Sequence, residues 1–511
     1  MKKTVLILFA LIVGLLVSGC SQTGPVQVHL LQVSSLRGAL FPVEVDGVLQ
    51  GGIGLVAGAV DDIRSTYAGE QVINLATYNM TYGTPESFVT DGMAIIDIMN
   101  DIGFDGMVIG PREFYFGFSV LEAHAQRANF PFLAANLAYE DGSPIPFLQG
   151  SFLHAGSKIG IIGLAPPTTL EQNMPEHVQG ITLLDPRESV DREVAKLRSA
   201  GAAEILLIAG GFGFFDFENT SEEFLRLIDN PDVDMTVLSV APGREAGHYT
   251  LAGSGKRVLA LDGNIGAGGR AIDYFNWTSP GFRSIPITSE THRPPDRLEK
   301  SLGDVYTFVQ NLLSMAISHA PVEVLHDFNQ ESALGNLFTD LLREHFQADV
   351  LMINSGGIRG GFQKGPIRIH DVYVSYPFGG NLVFFLADRS QIVTILEQSL
   401  TYIGRPERGR GFMQVSGLEF AYTEHNGSFK LLEESIKIGS ETLSDKQYLV
   451  GVERFPFMGG DGYTAFRGIE PEQVIARSTL SLLIELIQNR DSVQAGVDGR
   501  MKLVSSGGNG Q

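Results

Sequence analysis

The chain has one cysteine in 511 residues, Cys20, and a single thiol cannot close an intrachain disulfide. It is poor in positive charge. Against 58 Asp and Glu stand 37 Lys and Arg, for a formal charge of −21. Binding a nucleic-acid backbone needs a basic footprint, so this balance argues against a nucleic-acid partner. No long block of like charge occurs, which excludes a polyacidic or polybasic tail. The apolar run Val5–Val17 falls short of the roughly 20 residues a helix needs to cross a bilayer. No internal repeat is present, which argues against solenoids and propellers.

What is there suits a multidomain globular protein. Hydrophobic residues make up 44% of the chain and charged residues 19%, and the length predicts two to four domains. The N-terminus reads as a processing signal. Lys2 and Lys3 precede the short apolar run, and Leu16-Val17-Ser18-Gly19-Cys20 follows it. Small residues directly before a cysteine resemble the lipobox of bacterial lipoproteins. That resemblance implies a signal peptide over 1–19, lipidation of Cys20 and a membrane anchored through lipid. The site is then the cell envelope: the outer membrane facing the periplasm in a two-membrane cell, otherwise the outer face of the plasma membrane. An ordinary secretory signal with a coincidental cysteine is the alternative.

From residue 27 to about 285, strand-like runs such as Lys158–Leu164 and Glu204–Ala209 alternate with helix-like ones such as Met93–Met99. Such alternation predicts an α/β layered domain over 20–285. A polar, proline-containing stretch follows. Leu298, Leu302, Val305, Phe308 and Leu312 then recur at three and four, predicting one helix from Arg297 to His319 within a linker over 286–320. A second domain runs over 321–504, and the Gly/Ser/Asn-rich tail 505–511 is predicted to be disordered.

Three turns in the second domain carry the chemistry. Asn354-Ser355-Gly356-Gly357-Ile358-Arg359 follows the strand-like run Val350–Ile353; Pro377-Phe378-Gly379-Gly380 and Gly459-Gly460-Asp461-Gly462-Tyr463 come later. Glycine lets a backbone turn sharply or approach a ligand closely. Aromatics, one amide, one guanidinium and one carboxylate suit a flat, polar-edged ring bearing hydroxyls. The glycines could equally just close tight turns.

With Glu331-Ser332-Ala333-Leu334-Gly335-Asn336-Leu337, Tyr376-Pro377-Phe378-Gly379 and Phe412-Met413-Gln414-Val415-Ser416-Gly417, these turns occur in the order found in the 5′-nucleotidase family. The chain resembles that family over nearly all its mature length. The resemblance implies a four-layer α/β/β/α metallophosphoesterase-like domain, a linker helix and an α/β C-terminal nucleoside-binding domain. It casts Phe378 and Phe455 as the two aromatics that clamp a base, Asn354 as the base-edge contact, and Arg359 and Asp461 as ribose and polar contacts. A family arginine just before Glu331 corresponds to Gln330.

The same resemblance implies two divalent metals as cofactors, and the motifs that hold them are altered here. Ser35-Leu36-Arg37-Gly38 stands for Asp-x-His-Gly, and Tyr78-Asn79 opens the turn that reads Gly-Asp in the family. Gly110-Pro111-Arg112-Glu113-Phe114-Tyr115 replaces Gly-Asn-His-Glu-Phe-Asp. The Ser-His turn is Gly210-Gly211, and Ser239-Val240-Ala241-Pro242 replaces Gly-His-x-His. A two-metal site needs carboxylates and imidazoles, and arginine cannot ligate a cation. The expectation is no catalytic residue, no metal ligand and no cofactor. Arg37 and Arg112 fall where the family binds phosphate and are candidates for a metal-free phosphate site; filling space and pairing with an acid such as Glu113 is the bland alternative. His154, His248, His326, His345 and His370 show no ligand-like spacing. Three functions stay open: an anchored nucleoside- or nucleotide-binding pseudoenzyme, an active phosphohydrolase of nucleotide catabolism, and an interaction protein with relic sites.

Overall fold

The computed structural model describes residues 27–173, 175–211, 214–215, 226–240, 245–251, 255–261, 267–404, 411–475 and 477–504. Cys20, Pro242 and the tail 505–511 lie outside them. Among the described residues no helix is long and apolar enough to cross a membrane. The chain divides into two compact units, Met1–Tyr306 and Thr307–Gln511.

The first unit is built on two sheets. Strand Val28–Ser34 is buried throughout, as a strand covered on both faces should be. It pairs in parallel with Gln71–Thr77, from Val28 opposite Gln71 to Ser34 opposite Thr77. Gly106–Val108 extends the parallel run, and Ala271–Asn276 closes the other side antiparallel. The second sheet is centred on parallel strands Ile159–Gly163, Glu204–Ile208 and Met235–Val240.

Strand alternation sorts the side chains. Ile161, Leu206, Ile208 and Val237 join Leu30, Ile73, Leu75 and Val108 in one core between the sheets. Ile162, Ile205 and Leu207 face the other way and pack with Val190, Val194 and Leu197 of helix Pro186–Ser199. Helices Ile53–Thr66 and Met93–Ile102 bury apolar faces and pack on each other. The layering is α/β/β/α.

The turns that follow the first-sheet strands hold side-chain-bearing residues in the left-handed region: Ser35 (φ 51°), Arg37 (φ 55°), Tyr78 (φ 51°) and Asn79 (φ 55°). Such a conformation costs about 1–2 kcal/mol per residue. The turns hold it by bonding each other: Ser35 N–H donates to the Tyr78 carbonyl at 3.1 Å and Arg37 N–H to the Asn79 carbonyl at 2.8 Å.

The second unit has a five-stranded mixed sheet in the order Met413–Ser416, Val350–Asn354, Tyr448–Glu453, Leu382–Ala387 and Gln473–Val474. Helix Ala333–Phe346 opens with the Ser332 hydroxyl accepting the Gly335 N–H at 3.1 Å, a side-chain N-cap. A smaller sheet contains Leu418–His425 paired in parallel with the last strand, Met501–Val504. Glu331 ties that end of the chain to the helix start. Its buried carboxylate accepts from Asn336 Nδ2 at 2.7 Å and from the N–H groups of Asp498 at 2.8 Å, Gly499 at 3.1 Å and Met501 at 3.3 Å.

The linker helix is shorter than its periodicity predicts. It spans Asp296–Leu313 and closes with Ser314 N–H on the Gln310 carbonyl and Met315 N–H on the Leu312 carbonyl. Ala316–Ala320 is a strand paired antiparallel with Gly365–Arg368. The apolar repeat stops at Leu312, and the conformation of the next residues is fixed by a distant partner strand that local pattern does not carry. Phe308, placed on the apolar face by spacing, is 55% exposed.

Candidate functional site

In the first unit, the turns that align with the family's metal motifs come together around Tyr78. Its ring leaves the end of a first-sheet strand and reaches the second sheet. The hydroxyl donates to the Leu164 carbonyl at 3.0 Å, with the Ile208 carbonyl at 3.5 Å. A Cβ on Gly210 would fall 2.8 Å from Tyr78 Cε2, and one on Gly110 would fall 3.1 Å from Tyr78 Cβ. The ring therefore fills the space where these turns converge. Burial holds the Tyr78 hydroxyl well above the ordinary tyrosine pKa.

The surrounding donors do not suit a divalent pair. Ser35, Arg37, Asn79, Pro111 and Gly210 offer no carboxylate and no imidazole. Among the described residues, no group of three or more His, Cys, Asp and Glu could hold a metal ion. Glu113, which keeps its family position, is fully buried. Its carboxylate accepts N–H groups from Gly110 at 2.8 Å, Asn79 at 3.0 Å and Met80 at 2.6 Å. It clasps two turns and makes no ion pair with Arg37 or Arg112. Burial still pushes its pKa up, against those amides.

Arg37 and Arg112 lie on either side of Gly83. A Cβ there would meet Arg37 Cβ at 2.9 Å and Arg112 Nη1 at 3.5 Å. Arg112 Cζ stands 5.9 Å from the Tyr82 ring centroid, and Tyr82 stacks on Tyr115 at 3.3 Å.

In the second unit, Asn354 ends a central strand and Asp461 sits in the later glycine turn. Asn354 Nδ2 donates to Asp461 Oδ2 at 2.8 Å, and its Oδ1 accepts the Gly356 N–H at 2.9 Å. Asp461 adopts φ 52° between Gly459 and Gly462, both also positive. The Tyr402 hydroxyl holds the Asp461 carbonyl at 2.8 Å.

The two candidate clamp aromatics flank one ladder end. Leu382 pairs with Glu453, so Phe378, before the first strand, and Phe455, after the second, emerge beyond the same end. They are 57% and 58% exposed, unusual for phenylalanine. Gly460 lies against the Phe455 ring, where a Cβ would come within 2.6 Å. Arg359 Cζ stands 4.9 Å from the Phe378 ring centroid, a cation–π distance. Gln330 turns onto Asp327 Oδ2 at 2.9 Å.

Sequence reasoning misses Glu453, which lies beneath these groups. On the last strand position before Arg454-Phe455, it is buried. It accepts the Asn354 N–H at 2.6 Å and the Tyr376 hydroxyl. Burial raises its pKa to about 7, with Asp461 pushing the same way and the Tyr376 and Asn354 donors opposing. The available signal is an acid ending an apolar strand, Tyr448–Glu453.

Residues 314–468 match the family model of the 5′-nucleotidase C-terminal domain. The second unit is a 5′-nucleotidase C-terminal domain. The chain is similar to the 5′-nucleotidase of Vibrio cholerae serotype O1, 24% identical over 453 residues that cover 79% of this chain and 80% of that protein. Its fold is that of two-domain 5′-nucleotidases. The 5′-nucleotidase precursor of Thermus thermophilus superposes with a TM-score of 0.60 at 22% identity, over 94% of this chain and 99% of that one. The NAD nucleotidase of Haemophilus influenzae does so with a TM-score of 0.59 at 17% identity, over 94% and 100%. The family is metal-dependent, and the donors among the described residues around Tyr78 do not fit that metal pair.

Proposed function

We propose that the chain binds a nucleoside or nucleotide through its 5′-nucleotidase C-terminal domain and does not hydrolyse phosphate esters. The observation that carries the binding half is the Asn354–Asp461 hydrogen bond, placed with two exposed phenylalanines at one ladder end. A base between Phe378 and Phe455 would cover apolar surface now in water, with Asn354, Asp461 and Arg359 as polar contacts. Tyr78 supports the other half. Its ring fills the convergence of the turns, and the residues there cannot bind the ions that activate water in a two-metal hydrolase.

The lipobox-like segment adds a proposed place: an envelope protein held by lipid on Cys20, which suits capture or delivery of nucleosides outside the cytoplasm. The names of the relatives favour a second reading, an active phosphohydrolase. One experiment separates the two. The purified protein is titrated with nucleosides and monophosphates by thermal shift, and phosphate release is assayed with and without Mn²⁺ or Zn²⁺. Nucleoside-dependent stabilisation without metal-dependent phosphate release is expected; metal-dependent release would establish the second reading, and no stabilisation by any nucleoside or monophosphate would sink the first.

A further inference from the structure

Four backbone segments of the first unit meet around Arg37: the turns after its strands at 35–38, 78–84 and 110–112, and the segment 268–270. Gly268 N–H donates to the Ser35 carbonyl at 2.9 Å, and Gly52 N–H donates to the Gly268 carbonyl at 2.8 Å. Arg270 Cγ is 3.2 Å from where a Gly51 Cβ would sit. The charge of Arg270, distant in sequence, is thereby brought near that of Arg37.

The charges of Arg112 and Arg270 both repel that of Arg37. The Arg37 guanidinium is held below the ordinary arginine range, first by burial and then by the charges of Arg112 and Arg270. Among the described residues no carboxylate makes an ion pair with any of the three, and Glu113 is committed to backbone amides. Arg37 Nε is buried without a hydrogen-bond partner. A buried donor left unpaired is costly, and three guanidiniums with no acid paired to them among the described residues are unusual in a chain of net charge −21. What satisfies all of this at once is a multivalent oxyanion: its oxygens accept from planar N–H forks, and its charge cancels the repulsion.

We infer that Arg37, Arg112 and Arg270 form a metal-free site for a phosphoryl-type oxyanion on the first unit. It rests on the reading that these turns hold no metal pair. Inorganic phosphate and the terminal phosphate of a nucleotide share the required chemistry. The guanidiniums hold such a group but generate no hydroxide, so bound phosphate esters stay intact.

The test uses the full purified chain with chelator present. Inorganic phosphate is compared with chloride at matched ionic strength, by thermal shift and calorimetry. The expected result is stabilisation and saturable binding, weakened about tenfold or more in Arg37→Gln and in Arg112→Gln and less in Arg270→Gln, whose side chain is more exposed. Arg37→Lys keeps the charge and loses the fork, so it should weaken binding even if Arg37→Gln folds poorly. Competition of adenosine monophosphate with phosphate identifies a nucleotide as the source; phosphate binding without competition identifies the free ion. No effect of phosphate beyond chloride, or binding unchanged in Arg37→Lys and Arg112→Gln, overturns the site. Adenosine, which carries no phosphate, reports on Phe378 and Phe455 alone; its failure to bind would sink the nucleoside reading and leave this one standing.

Discussion

The Tyr78 hydroxyl bonds the Leu164 carbonyl at 3.0 Å, so a side chain rooted at the end of one sheet fastens a strand end of the other. The ring is both plug and tie. Tyr78→Phe keeps the volume and leaves that carbonyl without its donor, and should cost about 1 kcal/mol in chemical denaturation. Tyr78→Ala should cost roughly 3–5 kcal/mol through the cavity it opens. Tyr78→Gly should relieve the left-handed strain yet restore no hydrolysis, because Ser35, Arg37, Asn79 and Pro111 remain; metal-dependent phosphate release from that variant would count against the reading.

Phe378→Ala and Phe455→Ala should each weaken nucleoside binding by about 1–3 kcal/mol. Both rings are more than half exposed, so the melting temperature without ligand should hardly move. Calorimetry on both variants and their double mutant checks this, and unchanged affinity in the double mutant refutes the clamp.

Glu453 makes stability depend on pH. Its folded pKa is raised to about 7 from an ordinary 4.5, so the folded state keeps a proton that the unfolded chain gives up. The contribution is complete below 4.5 and is lost as pH rises through 7. Glu453→Gln cannot titrate and should flatten that slope, by on the order of a few kcal/mol between about pH 5 and about pH 8. Urea denaturation of the parent and the variant at both pH values measures it. Parallel pH dependence in the two proteins would contradict the assignment.

Cys20→Ala should move the protein from the membrane to the soluble fraction, since one residue carries the proposed anchor. Fractionation of cells expressing each form decides it; a variant that still sediments with membranes is anchored in some other way.

Much of the fold is legible because it is written locally. Parallel strands buried on both faces read as apolar runs, and Val350–Asn354 followed by two glycines marks its turn without any tertiary knowledge. The limits are where a partner far along the chain decides. Ala316–Ala320 is a strand because Gly365–Arg368 lies beside it. Arg270 joins Arg37 only after strand pairing has closed the sheet. Tyr78 is visible in the sequence as a bulky residue where the family has glycine, but that its ring reaches Leu164 is a fact of two sheets facing each other. Glu453 is one acid at the end of one strand, and only burial makes it unusual.

The carboxylate of Glu331 is satisfied by amides at Asp498, Gly499 and Met501, residues that leave the ribosome long after it does. Until they arrive, an acid destined for the interior has, among the described residues, only Asn336 to bond, and the strand Leu418–His425 lacks its parallel neighbour. The second unit therefore cannot finish folding before its strand Met501–Val504 has been synthesised. Translation that stops before residue 498 should leave it open and easily proteolysed, so that only a chain carrying this late segment completes the second unit.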